Sequence, residues 1–300
     1  MSKTKNIGMG MNSKNAAEEK RSHFCIILAI IAALAAAFFF VMAIIFSDGS
    51  YPFGFIKTGG KFAYEFIHVG ESKFSIYYLM HIVGFVGGAI VLLKRRKRYE
   101  TKVWLALVTD VLLLIFGYAG AKILFILEDP STALEYGFTI GGVSFFGTVF
   151  FLPPLVLLAA LIFRKKPFVF LDYCVPAIIQ MLIFIRIGCF TAGCCGGITV
   201  IINSNPVTIP TQLIEVALDL LMLDVILRID RSGKYDGVQY AWFMLLYGVL
   251  RFVVEFMRDT AKATMGLSHG QWFAIISVII GGGVLLFYKI KTQKGRKEEV

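Results

Sequence analysis

In the run RFVVEFMR, two arginines and a glutamate fall at i, i+4 and i+7, so a helix carries Arg251, Glu255 and Arg258 on one face. Their neighbours are apolar, and an ionisable group deep in an apolar span costs about 2.5–3.5 kcal/mol, so each needs a partner. One reading is a buried ion pair with an arginine reaching out from the helix end. The other is a pair of guanidiniums that grips an anion. Arg186 and Lys122 lie in two further apolar runs and add to the cationic charge. That excess favours an anionic partner. A lipid phosphate fits, because a guanidinium fork can meet it through two parallel hydrogen bonds.

Gln212, Glu215 and Asp219 fall at i, i+3 and i+7 and share a second helix face, where the acids would balance part of this charge. Tyr77 and His81 stand one turn apart and offer a proton carrier, although a lone buried histidine is more often a core residue with satisfied hydrogen bonds. Cys189, Cys194 and Cys195 cluster in IRIGCFTAGCCGG, whose small residues permit close backbone approach. Their spacing is not a paired Cys-x-x-Cys arrangement and zinc would want a fourth ligand, so no metal is expected. Cys25 and Cys174 sit in apolar runs as small hydrophobes. Asp110, Asp172 and Asp224 read as structural.

The elements that must position these groups are membrane helices. The 300-residue chain is 57% hydrophobic and only 17% charged, against roughly 45–50% and about 25% in soluble domains. A spanning helix needs about 20 apolar residues. Runs of that kind cover 24–46, 74–93, 103–127, 140–163, 168–190, 209–228, 238–257 and 271–288. The first is longer than the apolar core of a signal peptide and no small-x-small cleavage site follows, so it reads as a retained helix. No Pro/Gly/Ser-rich linker and no internal repeat divides the chain. The expectation is an all-α polytopic membrane bundle of about eight spans. It comprises a basic tail at 1–23, an N-terminal helix at 24–46, a membrane domain at 74–290 and a second basic tail at 291–300.

Of the 30 lysines and arginines, 22 fall on one side of these spans, five on the other and three within them. The positive-inside rule then puts both termini in the cytoplasm. The net charge of +10 is explained by juxtamembrane residues facing anionic lipid, which excludes a nucleic-acid footprint. With this orientation the third, fifth and seventh runs lead outward, so Lys122, Arg186 and Arg251 lie near their outer ends. The second, fourth and sixth lead inward, so Tyr77, Phe146 and Glu215 lie near their outer starts. Six helices deliver their unusual residues to the level of the outer leaflet.

These residues also resemble a known family. FSIYYLMHIVGF, GAKILFIL, GGVSFFG, LDYCVPAI, IRIGCFTAGCCGG, PTQLIE, YGVLRFVVEFMR and LSHGQ follow one another in the order of segments of the prolipoprotein diacylglyceryl transferases, from residue 74 onward. That family's signature is Gly-Arg-x-Gly-Asn-Phe-x-Asn-x-Glu-x-x-Gly, and IRIGCFTAGCCGG stands in its place. The family usually has seven spans, so the first helix falls outside the match. The resemblance implies transfer of diacylglycerol from phosphatidylglycerol to the lipobox cysteine of a lipoprotein precursor, in the plasma membrane of a bacterium. It implies no cofactor.

By the same resemblance Tyr77, Arg186, Arg251 and Glu255 are catalytic and Lys122, Gly197 and Arg258 bind substrate; Gln212 and Glu215, on their shared helix face, are added to the substrate-binding set. Lys122 stands where the family has arginine. The family's His-Gly-Gly is Phe146-Gly147-Thr148 here, which removes its histidine and leaves His81 or Tyr77 as the base. The signature's two asparagines and glutamate are Cys189, Ala192 and Cys194. The long segment after the signature is shortened. A relative that binds lipid without catalysis, or a transferase with another acceptor, would account for these departures. A channel or transporter is the outside reading.

Overall fold

The computed structural model describes residues 25–38, 41, 56–58, 61–63, 66–69, 72–130, 142–202, 205–233, 236–262 and 264–298. Eight helices organise them. They are α1 (Cys25–Phe38), α2 (Ile76–Arg95), α3 (Val103–Glu128), α4 (Phe145–Ile162), α5 (Pro167–Thr191), α6 (Thr211–Ser232), α7 (Gln239–Glu255) and α8 (His269–Glu298). The strands form three separate antiparallel hairpins: β1–β2 (Ile56–Thr58, Lys61–Ala63), β3–β4 (Phe66–Val69, Ser72–Ser75) and β5–β6 (Thr199–Ile202, Asn205–Thr208). The molecule is an all-α membrane bundle. The tail at 1–23, most of the first run beyond residue 38 and the last two residues of the tail at 291–300 lie outside the described residues, and 291–298 continue α8.

α5 is the central helix. It begins on Pro167, whose fixed φ suits a first helical turn. Of its most apolar stretch, 67% is buried inside the bundle, against 17% for α2 and for α8. α2 and α6 pack along α5, α4 joins it to α3, and α7 pairs with α8. The outward faces of α2, α3 and α8 carry exposed isoleucines, leucines and valines, as helices solvated by lipid must. Cys25, Ala29, Ala32 and Ala36 are the buried face of α1, a stripe of small side chains at i, i+4, i+7 and i+11, of which Ala29 and Ala32 join the core.

Five helices, α2, α3, α4, α5 and α8, are long and apolar enough to cross a bilayer. α6 and α7 depart from that pattern for a physical reason. α6 turns Glu215, Asp219 and Asp224 into the bundle, and α7 is 17 residues long and ends on Glu255. Glu215, Asp224 and Glu255 face charged protein partners instead of hydrocarbon.

The end of the bundle away from Glu215 and Glu255 is closed by polar contacts. Arg95 of α2 meets Asp230 at 2.6 Å, Tyr99 donates to the same carboxylate at 2.5 Å, and Gln239 donates to it at 3.0 Å. Asp172 accepts the Gly237 and Tyr240 amides and so caps the start of α7. Asp224 pairs with Arg228 at 2.7 Å. These acids have the structural roles expected of them; Asp110 is buried without a hydrogen-bond partner for its carboxylate.

Candidate active site

Glu215, one turn into the buried face of α6, is met by arginines from two other helices and the segment after α7. Arg186 Nε lies 2.6 Å from its Oε2, an ion pair not aligned as a hydrogen bond. Arg251 and Arg258 donate to its Oε1 at 3.0 and 3.1 Å. Arg251 also lies 2.7 Å from Glu255, and Arg258 reaches the same carboxylate at 3.6 Å. The side chains of the three arginines are 8–11% exposed and those of the two glutamates 7% and 2%. Coulomb attraction is strong at this depth, and a third cation against two carboxylates leaves positive charge for an anion.

The helical spacing thus brings Arg251, Glu255 and Arg258 together as expected. Glu215 does more than balance charge, because it is the residue on which Arg186, Arg251 and Arg258 converge. Asp219, one turn further along, is also buried but forms no ion pair with this group among the described residues. Lys122 is buried on α3, where its contacts include the Gly142 carbonyl at 3.4 Å and the Phe125 ring.

Glu255 is held by a device the sequence contains but the reading above does not use. Ser268 and Gln271 form a capping box at the start of α8. The Gln271 amide donates to Ser268 Oγ at 3.1 Å, and the Ser268 amide donates to Gln271 Oε1 at 3.0 Å. The Ser268 hydroxyl is left to donate to Glu255 Oε1 at 2.9 Å. A Cβ on Gly270 would come within 2.8 Å of the same carboxylate, so LSHGQ supplies a cap, a donor and a space. Serine followed three residues later by glutamine before an apolar run was the available signal.

The segment after α5 folds back on itself through the Cys194 amide, which donates to the Cys189 carbonyl at 3.1 Å. Gln212 donates to the Cys194 carbonyl at 2.5 Å, while Arg258 and Thr211 donate to that of Cys195 at 3.1 and 3.3 Å. Gly197 then runs beside Arg258 as a β-bridge. A Cβ there would stand 2.5 Å from the Met257 carbonyl and 2.7 Å from Thr211, so only glycine fits. Although their spacing is not a paired Cys-x-x-Cys arrangement, the sulfurs of Cys189, Cys194 and Cys195 all lie within 4.8 Å of one another.

Tyr77 is half-buried against Gly188 of α5 and close enough to the three cysteines to be electrostatically coupled to them. His81 packs on the Tyr77 ring at 4.4 Å, and its Nδ1 donates to the Tyr77 carbonyl at 2.8 Å. That bond places the proton on Nδ1 and leaves Nε2 as the basic nitrogen of the neutral ring. Phe146 is buried among Phe150, Tyr247 and Phe273. An aromatic wall therefore stands where the family resemblance places a histidine. The reading of single residues also passes over Tyr247. Its hydroxyl is buried without a hydrogen-bond partner among the described residues, and its ring packs on Phe145 and Phe146.

A helical bundle with a buried cluster of three arginines and two glutamates beside a glycine-rich turn defines a polytopic membrane protein with an ionised interior site. Comparison with known sequences identifies it further. The family described as prolipoprotein diacylglyceryl transferase matches residues 65–288. Phosphatidylglycerol--prolipoprotein diacylglyceryl transferase 2 of Clostridium perfringens is 30% identical over 251 residues, covering 75% of this chain and 94% of the relative. The transferase of Clostridium tetani is 27% identical, covering 68% and 89%. That of Idiomarina loihiensis is 34% identical, covering 51% and 62%. The chain belongs to the prolipoprotein diacylglyceryl transferase family.

Proposed function

We propose that this chain transfers the diacylglyceryl group of phosphatidylglycerol to the lipobox cysteine of lipoprotein precursors. The observation that carries this reading is the convergence of Arg186, Arg251 and Arg258 on Glu215, which offers a preorganised set of guanidinium donors to a phosphate. The precursor thiolate attacks the glycerol carbon of the diacylglyceryl group. A C–S bond forms, the C–O bond to phosphate breaks, and glycerol phosphate departs with the electron pair. Positive charge assists twice: it stabilises the leaving phosphate and favours the thiolate over the thiol. His81 Nε2 takes the thiol proton, with the imidazole held against Tyr77 by the ring contact and by the Nδ1 bond to the Tyr77 carbonyl. Glu255, fixed by Ser268, orients Arg251, and Gly197 and Gln212 hold the loop over the site. Lys122 adds charge from α3.

The Lys/Arg distribution supports eight crossings with both termini in the cytoplasm and the site at the outer leaflet of a bacterial plasma membrane. Reporters fused after Lys97 and Arg296 are then cytoplasmic and one inserted near Asn203 external; an external C-terminus overturns this arrangement. The decisive assay follows labelled diacylglycerol from phosphatidylglycerol to a lipobox peptide in detergent, together with rescue of lipoprotein maturation in cells depleted of their own transferase.

Phe146 favours a second reading, in which the chain keeps the lipid site without catalysis. Binding of phosphatidylglycerol without transfer in both assays would establish that reading and overturn the first.

A further inference from the structure

Cys189 lies in the last turn of α5, Cys194 and Cys195 follow in the loop, and the three sulfurs lie within 4.8 Å of one another. A cation bound by three thiolates at about 2.3 Å needs them about 4 Å apart. A sub-ångström closure of the loop therefore completes the geometry. The loop is braced for this by bonds from Gln212, Thr211 and Arg258 to the Cys194 and Cys195 carbonyls, so the sulfurs are presented without the ion. Cys195 holds a left-handed φ of 57°, a conformation that costs a residue with a side chain about 1–3 kcal/mol.

Two neighbours of the loop point to a ligand. Arg258, which donates to the Cys195 carbonyl at 3.1 Å, stands beside the loop and offsets part of the negative charge that three thiolates would gather. The amide of Gln212, whose Nε2 holds the Cys194 carbonyl, keeps its Oε1 buried without a hydrogen-bond partner among the described residues. An oxygen donor thus stands beside the loop that carries the sulfurs. Sulfur-rich, low-coordination sites select soft or borderline ions over magnesium or calcium.

We infer that Cys189, Cys194 and Cys195 form a binding site for one thiophilic metal ion, such as copper(I) or zinc(II). The site shares its loop with the Cys195 carbonyl that Arg258 holds, so a bound ion fixes the loop over the arginine cluster.

Cadmium(II) is the probe. The full chain in detergent, reduced and stripped of metal under argon, should develop a thiolate-to-cadmium charge-transfer band that saturates at one ion per chain. Replacing all three cysteines by serine should abolish the band, whereas Cys25→Ser and Cys174→Ser should retain it. Since the triple variant could misfold, a second measurement uses the unaltered protein: cadmium should slow alkylation of the two accessible thiols, Cys194 and Cys195, by at least tenfold. No band, or a band without thiol protection, overturns the proposal. So does recovery of two of the three cysteines as a disulfide from protein purified without reductant, which would make them a redox pair. None of these readouts depends on diacylglyceryl transfer, so their failure and the failure of the proposed activity are separable.

Discussion

The Ser268 hydroxyl donates a hydrogen bond of 2.9 Å to Glu255 Oε1, tying the first turn of α8 to the last residue of α7. Glu255 in turn holds Arg251 at 2.7 Å, so a helix cap is connected to the arginine cluster through one carboxylate. Ser268→Ala removes the cap and the donor together. The cap contributes about 1 kcal/mol, and a hydrogen bond to a charged group about 1.5–3 kcal/mol. Transfer by Ser268→Ala should fall by about tenfold or more, with a modest loss of thermal stability in detergent. Ser268→Asp should restore the cap but not the activity, because its carboxylate repels Glu255. Equal recovery of both would show that Ser268 acts only on the helix.

Arg186 and Arg251 come from different helices and meet the two oxygens of one carboxylate. Lysine at either position keeps the charge and loses the fork. A contact that tightens in the transition state contributes about 2.7–4 kcal/mol, or about 10²–10³ in rate. Arg186→Lys and Arg251→Lys should each lose transfer in that range while eluting normally on gel filtration. Glu255→Gln should lose less, since an amide still accepts a hydrogen bond from Arg251. Full activity in the two lysine variants would assign these arginines to the scaffold.

Glu215→Gln leaves Arg186, Arg251 and Arg258 facing one another across an amide. Breaking a buried ion pair from one side costs about 3–5 kcal/mol. The variant should therefore melt well below the wild type in a neutral detergent. Phosphatidylglycerol should recover more of that loss than phosphatidylcholine, because an anion supplies part of the missing charge. The same recovery from both lipids would argue against an anion site at the cluster.

Gly197→Ala places a methyl against the Met257 carbonyl and Thr211, neither of which is a flexible side-chain end. The loop must shift, taking the Cys195 carbonyl away from Arg258. A loss of transfer of about tenfold or more with little change in melting would locate the effect in the loop. Unchanged transfer would show that the loop position is not critical.

At the opposite end, Asp230 lies beyond the apolar run 209–228. Burial by itself would raise its carboxyl. Arg95, together with hydrogen bonds from Tyr99 and Gln239, outweighs that effect and holds the carboxyl below its usual value. Its contribution is therefore in place above the unfolded value of about 3.9 and fades as acid takes the pH through the lower folded value. Asp230→Asn should cost about 3–5 kcal/mol near neutrality because Arg95 stays buried. The gap to the wild type should narrow only below about pH 4, read from unfolding at successive pH values.

The amino-acid sequence by itself determined the helical class and the faces on which Arg251, Glu255 and Arg258, and Gln212, Glu215 and Asp219, are grouped. Both follow from local periods of apolar and polar residues, and a helix translates such a period directly into a face. Family segments in order placed Tyr77, Arg186 and Gly197 as well. What local spacing does not specify is how each helix is rotated against its neighbours. Only the packed bundle chose Glu215 over Asp219 as the carboxylate for three arginines, and only it directed the Ser268 hydroxyl to Glu255. It also placed Phe146 and Tyr247 against each other beside the cluster. The turn after Thr191 brought Cys189 back to Cys194 and Cys195, although five residues of separation gave no sign of contact. Such meetings depend on interhelical rotation and on one backbone reversal, which are properties of the whole packed core rather than of any one segment.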